Sequence, residues 1–266
     1  MQIIDLSLPI DDTLIETHPA TIDRISPKDG VEHFNWVVMS QKPGGQERFD
    51  AGERVAAAEE IPDGELLSLE TVHSSVHMGT HVDAPYHYGS RCEGKSARMI
   101  TDLPLEWCYG PGVVLDFTHM KHPQAIRKED VLKALDKIRY QLKPMDIVLI
   151  YTSGDQLVGT PDYVNQYVGM LPDAVEYLLD CGIKMMGIDT IGLDRPCPEM
   201  FKEFLTTKDQ SKLWPCHFLG RRREYAHMER LGNLGEIPKP FGFIVSCLPV
   251  KVRNAGAGWC RAVAMI

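Results

Sequence analysis

Four of the ten histidines fall within fifteen residues, at His73, His77, His81 and His87. The segment reads His77-Met78-Gly79-Thr80-His81-Val82-Asp83-Ala84-Pro85-Tyr86-His87-Tyr88. In an extended chain, residues of one parity share a face, and His77, His81, Asp83 and His87 all carry odd numbers. A helix is disfavoured, because Gly79 and Pro85 interrupt it and Thr80 and Val82 are β-branched. Straight extension does not suffice either. It would leave His77 and His81 ~13 Å apart at ~3.3 Å per residue, whereas two ligands of one ion each need a nitrogen ~2 Å from it. The chain must therefore curl between them, most cheaply at Gly79. Imidazoles with a carboxylate suit zinc, manganese or iron(II). A divalent ion beside an imidazole of near-neutral pKa suits hydrolysis or proton transfer at a carbonyl. A lone histidine is usually packed or solvated, and His73, which has no second argument, is read that way.

These side chains need elements to hold them. Residues 2–6 read as a short opening strand. Residues 18–62 are irregular, with Pro19, Pro27, Pro43-Gly44-Gly45 and a helix-like Ala- and Glu-rich stretch at 51–60. They are expected to form a surface insertion, an arm or a lid. From Leu66 an alternating pattern suits an extended segment running into the histidines. Buried-type strands are expected at 113–116, 147–151 and 184–189. Between them come a helix over 127–140, with Val131, Leu132, Leu135 and Ile138 on one face, and a helix over 173–181. Pro172 introduces the second helix and Gly182 closes it. Late strands follow at 243–248 and 261–266. Helices and strands alternate in the middle and strands predominate at the ends. That pattern predicts one sheet-rich α/β or α+β domain over residues 1–266.

Composition narrows the function classes. The 266 residues hold 28 Lys+Arg against 37 Asp+Glu, a net charge of −9, which argues against nucleic-acid or anionic-membrane binding. The longest aliphatic run, Ile147-Val148-Leu149-Ile150, is far short of the ~20 residues of a membrane span. Met1-Gln2-Ile3-Ile4-Asp5 has neither the charged nor the apolar region of a signal peptide, so a cytoplasmic protein is expected. Seven cysteines, an odd number without a C-x-x-C pair, read as free thiols. No dinucleotide fingerprint, Walker loop or serine-hydrolase elbow is present.

The string H-x-G-T-H-x-D-x-P-x-H at 77–87 resembles the signature of the metal-dependent cyclase/kynurenine formamidase superfamily. That superfamily includes bacterial arylformamidases, isatin hydrolases and polyketide-associated cyclases. Ile3-Ile4-Asp5-Leu6, Gly187-Ile188-Asp189-Thr190, Pro249-Val250-Lys251-Val252 and Arg261-Ala262-Val263-Ala264 look like its strands. The resemblance implies a swivelling β/β/α-like fold, with a mixed barrel-like core and flanking helices. It also implies a homo-oligomer, a dimer or tetramer. His217 and Glu229 stand at the family's twelve-residue spacing, with Asn233-Leu234 just after. By this resemblance His77, His81 and Asp83 would be metal ligands, Asp83 able to bridge two ions. His217 and Glu229 would complete a second site, and His87 would be a general acid/base off the metal. The cofactor implied is one or two ions of zinc or manganese. On a straight helix a twelve-residue step gives ~120° of rotation and ~18 Å of rise, so this segment must break, for which Gly220 is the candidate. Glu224 and His227 form a competing E-x-x-H step, a possible ligand pair on a helix.

Lewis acid plus base serves two reactions, and the ligands alone do not choose between them. Asp63-Gly64-Glu65-Leu66-Leu67-Ser68-Leu69, His87-Tyr88-Gly89, Gly220-Arg221-Arg222-Arg223-Glu224-Tyr225 and Gly256-Ala257-Gly258-Trp259-Cys260-Arg261 look like the aromatic polyketide branch. The leading expectation is therefore an aldol-type ring cyclase acting on a polyketide. The alternative is an amide or lactam hydrolase of the arylformamidase or isatin hydrolase kind. A third class, a non-catalytic relative, would need a lost ligand or base, and every expected position is filled. Arg221-Arg222-Arg223 reads as a solvated helix face, or as a dock for an acyl carrier or an anionic substrate group. Trp214, three residues before His217, and Arg221 are the candidates for touching a small-molecule substrate. Tyr86 and Tyr88, of even parity, should turn away and pack, and Cys216 should be a small buried residue.

Overall fold

In the computed structural model, which describes residues 1–14 and 18–266, the strands are β1 (Ile3–Asp5), β2 (Thr21–Ile25), β3 (Leu69–His73), β4 (His81–Asp83), β5 (Arg91–Cys92), β6 (Lys95–Ser96), β7 (Tyr109–Asp116), β8 (Ile147–Tyr151), β9 (Met185–Ile188), β10 (Ala226–Glu229), β11 (Phe241–Ser246), β12 (Ala257–Trp259) and β13 (Val263–Met265). The α-helices are α1 (Gly30–Ser40), α2 (Gly45–Asp50), α3 (Pro85–Tyr88), α4 (Lys128–Ile138), α5 (Asp162–Asn165), α6 (Pro172–Asp180), α7 (Cys197–Thr207) and α8 (Pro215–Leu219). The chain forms two compact units, Met1–Pro19 with Ser75–Ile266, and Ala20–Ser74.

The larger unit is built on one nine-stranded mixed half-barrel sheet in the order β1-β13-β11-β7-β8-β9-β10-β4-β12. Its four central strands, β7 to β10, run parallel. Parallel neighbours need long crossovers, and these carry α4, α6, and α7 with α8 in turn. The outer pairs are antiparallel. The alternating middle of the sequence is thus the parallel centre, and the strand-rich ends are its antiparallel flanks. This is the α/β sheet-rich fold expected.

Burial follows the period of two. Val113, Leu115, Val148, Ile150, Met186 and Ile188 turn to one face and pack with Val131 and Leu135 of α4 and Val175 and Leu178 of α6. Val114, Ile147, Leu149, Met185, Val82 and Met228 turn to the other face, with Ile4, Phe243 and Val245. Each such side chain contributes about 1.5–3 kcal/mol by leaving water. A one-residue slip would carry them all to the wrong face, so the core fixes the register of β4 against β10.

The smaller unit pairs β2 with β3, Thr21 opposite His73 through Ile25 opposite Leu69. The expected helix at 51–60 does not form, apart from a single 3₁₀ turn at Ala58–Glu60, and α1 and α2 lie earlier. The buried Asn35 explains this. Its side-chain oxygen accepts from the N–H groups of Val55 and Ala56, and its amide donates to the Ala56 carbonyl, occupying groups that a helix would use. His73 lies on β3, exposed, 3.2 Å from Asp23.

All seven cysteines are free, as expected. Among the described residues, no helix is long and apolar enough to cross a membrane.

Candidate metal centre

The register of β4 and β10 assembles the site. Asp83 lies opposite His227, Val82 opposite Met228, and His81 opposite Glu229. Val82 and Met228 belong to the core, so His81, Asp83, His227 and Glu229 must share the other face. The small Ala257 of β12 lies opposite Asp83 on the other side.

The parity argument holds only within β4. His77 and His87 reach the cluster through turns on either side. Gly79 has φ +64°, the left-handed turn expected there. It folds the chain so that His77 Nδ1 stands 3.3 Å from His81 Nε2 and 3.0 Å from Asp83 Oδ1. After β4, Pro85 starts α3 at a position where its missing N–H costs nothing. That single turn brings His87 Nε2 to 3.7 Å from Asp83 Oδ2. His217 arrives from α8, with Nε2 3.6 Å from Glu229 Oε1 and 3.8 Å from Asp83 Oδ2. The break expected between His217 and Glu229 is at Gly220, where α8 ends before β10. A side chain at Gly220 would press into the Tyr88 ring, 2.2 Å from its Cδ2.

Two residues of the site lie outside the ligand set that the resemblance implies, His227 having been considered only as a helical pair with Glu224. His227, wholly buried, places Nε2 3.0 Å from Glu229 Oε1 and 3.4 Å from Asp83 Oδ2. The E-x-x-H reading is corrected here: 226–229 is strand, and Glu224 instead pairs with Arg98 at 2.9 Å. The signal was present, since His227 and Glu229 are two apart, as His81 and Asp83 are. Asp194 had no such signal, lying 23 residues before His217. Its carboxylate accepts from the N–H groups of Cys216 and His217 at the start of α8 and from His217 Nδ1 at 2.6 Å.

Tyr88 is buried, as parity suggested, but it serves the site. Its hydroxyl lies 3.2 Å from the Asp83 carbonyl and 2.8 Å from His227 Nδ1. Tyr86, expected to pack, is exposed, because the turn of α3 rotates it outward. Cys216 is fully buried. Trp214 packs edge-on against Phe201, with centroids 5.6 Å apart. Arg221 lies over the Phe218 ring at 3.6 Å and donates to the Tyr88 carbonyl. The basic run is a turn and not a helix face, and Arg223 pairs with Asp180. Trp214 and Arg221 are therefore partnered outside the ligand atoms.

Charge in the cluster is strongly coupled. Burial opposes ionisation of Asp83, yet the imidazoles of His87 and His81 hold it well below the usual carboxylate range. Burial and Asp83 raise Glu229, but His227 and His217 bring it down to about 2. Burial pushes His87 down to about 4 against the pull of Asp83. His77 and His217 are raised despite burial, His77 by Asp83 and His217 by Asp194 and Asp83.

The residues fit a divalent cation. Both oxygens of Asp83 are buried and accept no hydrogen bond, although five histidine nitrogens stand 3.0–3.8 Å from them, and a buried carboxylate is costly unless hydrogen-bonded or bound to a metal. Nitrogen and carboxylate donors surround it. They form two sets, each with donor atoms within 4.8 Å of one another: Asp83, His217, His227 and Glu229, and His77, Asp83 and His87. Asp83 is common to both.

Comparisons with known proteins agree. A family model described as "Putative cyclase" matches residues 4–195. The kynurenine formamidase of Paracidovorax citrulli (strain AAC00-1) is 27% identical over 197 residues, covering 74% of this chain and 79% of that protein. The isatin hydrolase of Roseibium aggregatum is 25% identical over 215 residues, covering 77% of each. A crystal structure of an isatin hydrolase bound to the product analogue thioisatinate aligns over 100% of this chain and 92% of that one, with TM-score 0.72 at 18% identity, a likeness of fold. With a family match over most of its length and a buried metal-ligand cluster at its centre, the chain belongs to the "Putative cyclase" family, a family of metal-dependent hydrolases and cyclases, and it is an enzyme.

Proposed function

We propose that the protein hydrolyses a C–N amide bond next to an accessible carbonyl, in a formamide or a cyclic amide, using a divalent ion of the zinc or manganese type. One observation carries the reading. The Asp83 carboxylate, whose oxygens accept no hydrogen bond, is shared by a buried donor set and a group that reaches the surface through His77 and His87, whose side chains are 32% and 34% exposed. The choice of bond is supported by the curated relatives, named as kynurenine formamidase and isatin hydrolase. On that support we rank amide hydrolysis ahead of polyketide ring closure.

His77, His81, Asp83, His217 and Glu229 would hold one or two ions. A bound divalent ion supplies Lewis acidity to a carbonyl oxygen and lowers the pKa of water towards ~7. His87 handles the proton. Its depressed pKa keeps it neutral and able to accept at pH 7. The Asp83 carboxylate 3.7 Å away steadies the charge once it has accepted. Its partial exposure lets it then donate to a departing nitrogen.

Ring closure is the second reading, supported by the description of the family model. It loses support at the basic run, where Arg221 and Arg223 have internal partners. The test is a panel of N-formylkynurenine, isatin and a carrier-bound polyketide. Hydrolysis of either amide supports the proposal, and turnover of the polyketide alone reverses the order. A homo-oligomer remains part of the proposal and is checked by light scattering.

A further inference from the structure

We infer that His227 is a metal ligand, and that with Asp83, His217 and Glu229 it forms a closed inner site distinct from an open outer one at His77, His81 and Asp83. The inference rests on the reading of the cluster as a divalent metal centre.

Three imidazoles show one orientation pattern. His81 Nδ1 lies 2.9 Å from the Gly79 carbonyl and must donate to it. His217 Nδ1 donates to Asp194 at 2.6 Å. His227 Nδ1 lies 2.8 Å from the Tyr88 hydroxyl. Tyr88 has one proton, and the hydroxyl donates it to the Asp83 carbonyl at 3.2 Å, so His227 Nδ1–H donates to Tyr88. Each Nδ1 is thereby bound outward, and each Nε2 is left with a lone pair turned towards Asp83 or Glu229. Fixing an imidazole by its far nitrogen in this way is how proteins orient metal-ligating histidines.

The donor count separates the two sets. Asp83, His217, His227 and Glu229 are all buried, at 0%, 7%, 0% and 6% exposure, and together they would offer an ion the four protein donors of a closed, structural kind of site. The outer set has three donors and partial exposure, the pattern that leaves a position for water or substrate. In the outer set His81 Nε2 lies 3.3 Å from His77 Nδ1 and 3.4 Å from Asp83 Oδ1, and it is 3.6 Å from Glu229 Oε2. An ion held by the inner set would therefore be retained, while one held by the outer set would exchange and leave room for substrate.

The experiment titrates chelator-stripped protein with zinc against a competing chromophore, and with cobalt by visible absorption. Wild type should show two classes of site at least about a hundredfold apart. The first cobalt equivalent should give the intense bands of four-coordination. His227→Asn should lose the tight class by more than about a hundredfold and lose those bands. Tyr88→Phe, which disturbs only the orienting group, should cost about 10–100-fold and keep the bands. Circular dichroism of the metal-free variants checks folding. If His227→Asn misfolds, long-range ¹⁵N–¹H spectra of wild type, with and without zinc, report whether His227 Nε2 becomes metal-bound. Two sites in wild type with tight binding and bands unchanged in His227→Asn would overturn the inference. Absence of any metal binding in wild type would instead overturn the underlying reading of the cluster.

Discussion

Asp194→Asn separates orientation of a ligand from ligation itself. Asp194 accepts three N–H groups, from Cys216 at 2.7 Å through one oxygen and from His217 N and Nδ1 at 3.1 and 2.6 Å through the other. Asparagine has one acceptor oxygen. In its better orientation it keeps both His217 bonds and turns its amide NH₂ against the Cys216 N–H. That leaves a buried donor unsatisfied, worth about 1–3 kcal/mol. For a chain of this size the melting temperature should fall by roughly 2–4 °C per kcal/mol. Metal affinity should fall about 10–100-fold, since the neutral amide orients His217 without raising its basicity.

The pH dependence should change too. Burial lowers the pKa of His217, but the Asp194 bond and charge outweigh it and hold the imidazole above its usual value. A proton therefore competes with the metal in wild type until the pH passes that raised value. In the variant this competition ends at lower pH, so the rise in affinity from pH 6 to pH 8 should be shallower. Zinc competition titrations at both pH values, with urea unfolding of the metal-free proteins, measure all of this. Wild-type affinity at pH 8 together with an unchanged pH slope would refute the reasoning.

Three further outcomes follow from the same geometry. His87→Ala should keep its metal and lose about 10²–10⁴-fold in kcat; metal analysis showing equal loss of ion would make His87 a ligand instead. Gly79→Ala should cost at least about 1–2 kcal/mol for its left-handed backbone, with the new Cβ 3.2 Å from the Pro9 carbonyl. Because that turn carries His77, the weaker metal class should suffer first in a zinc titration. Asp189, buried on accepting bonds from Thr152 and Gly154, has its carboxyl raised by burial from 3.8 to about 7. A raised acid contributes stability below about pH 3.8 that is lost as pH rises through about 7. Urea midpoints between pH 5 and 8 should thus fall more in wild type than in Asp189→Asn; parallel curves would contradict this.

Much of the site was legible because strand parity and spacing are local. His81 and Asp83 could be put on one face from residue numbers alone, and Gly79 could be named as the turn. His87 was found by parity but positioned by something else, the turn that Pro85 begins. His227 was weighed with the wrong partner, Glu224, because its neighbours suggested a helix. Only pairing with β4 reveals that 226–229 is a strand whose odd residues join the cluster. Asp194 could not be read at all, since it meets His217 through tertiary packing of α8. In the fold, the central strands were legible from continuous apolar runs. The helix expected at 51–60 was lost to Asn35, a competitor twenty residues away.

One assay joins the divalent metal centre to amide opening. Chelator-stripped protein is given isatin or N-formylkynurenine, before and after zinc or manganese is restored, with bound metal measured on the same samples. Negligible hydrolysis is expected when the protein is stripped, with recovery in step with metal occupancy. Hydrolysis that persists in fully stripped protein would contradict it, as would metal-loaded protein that opens neither amide.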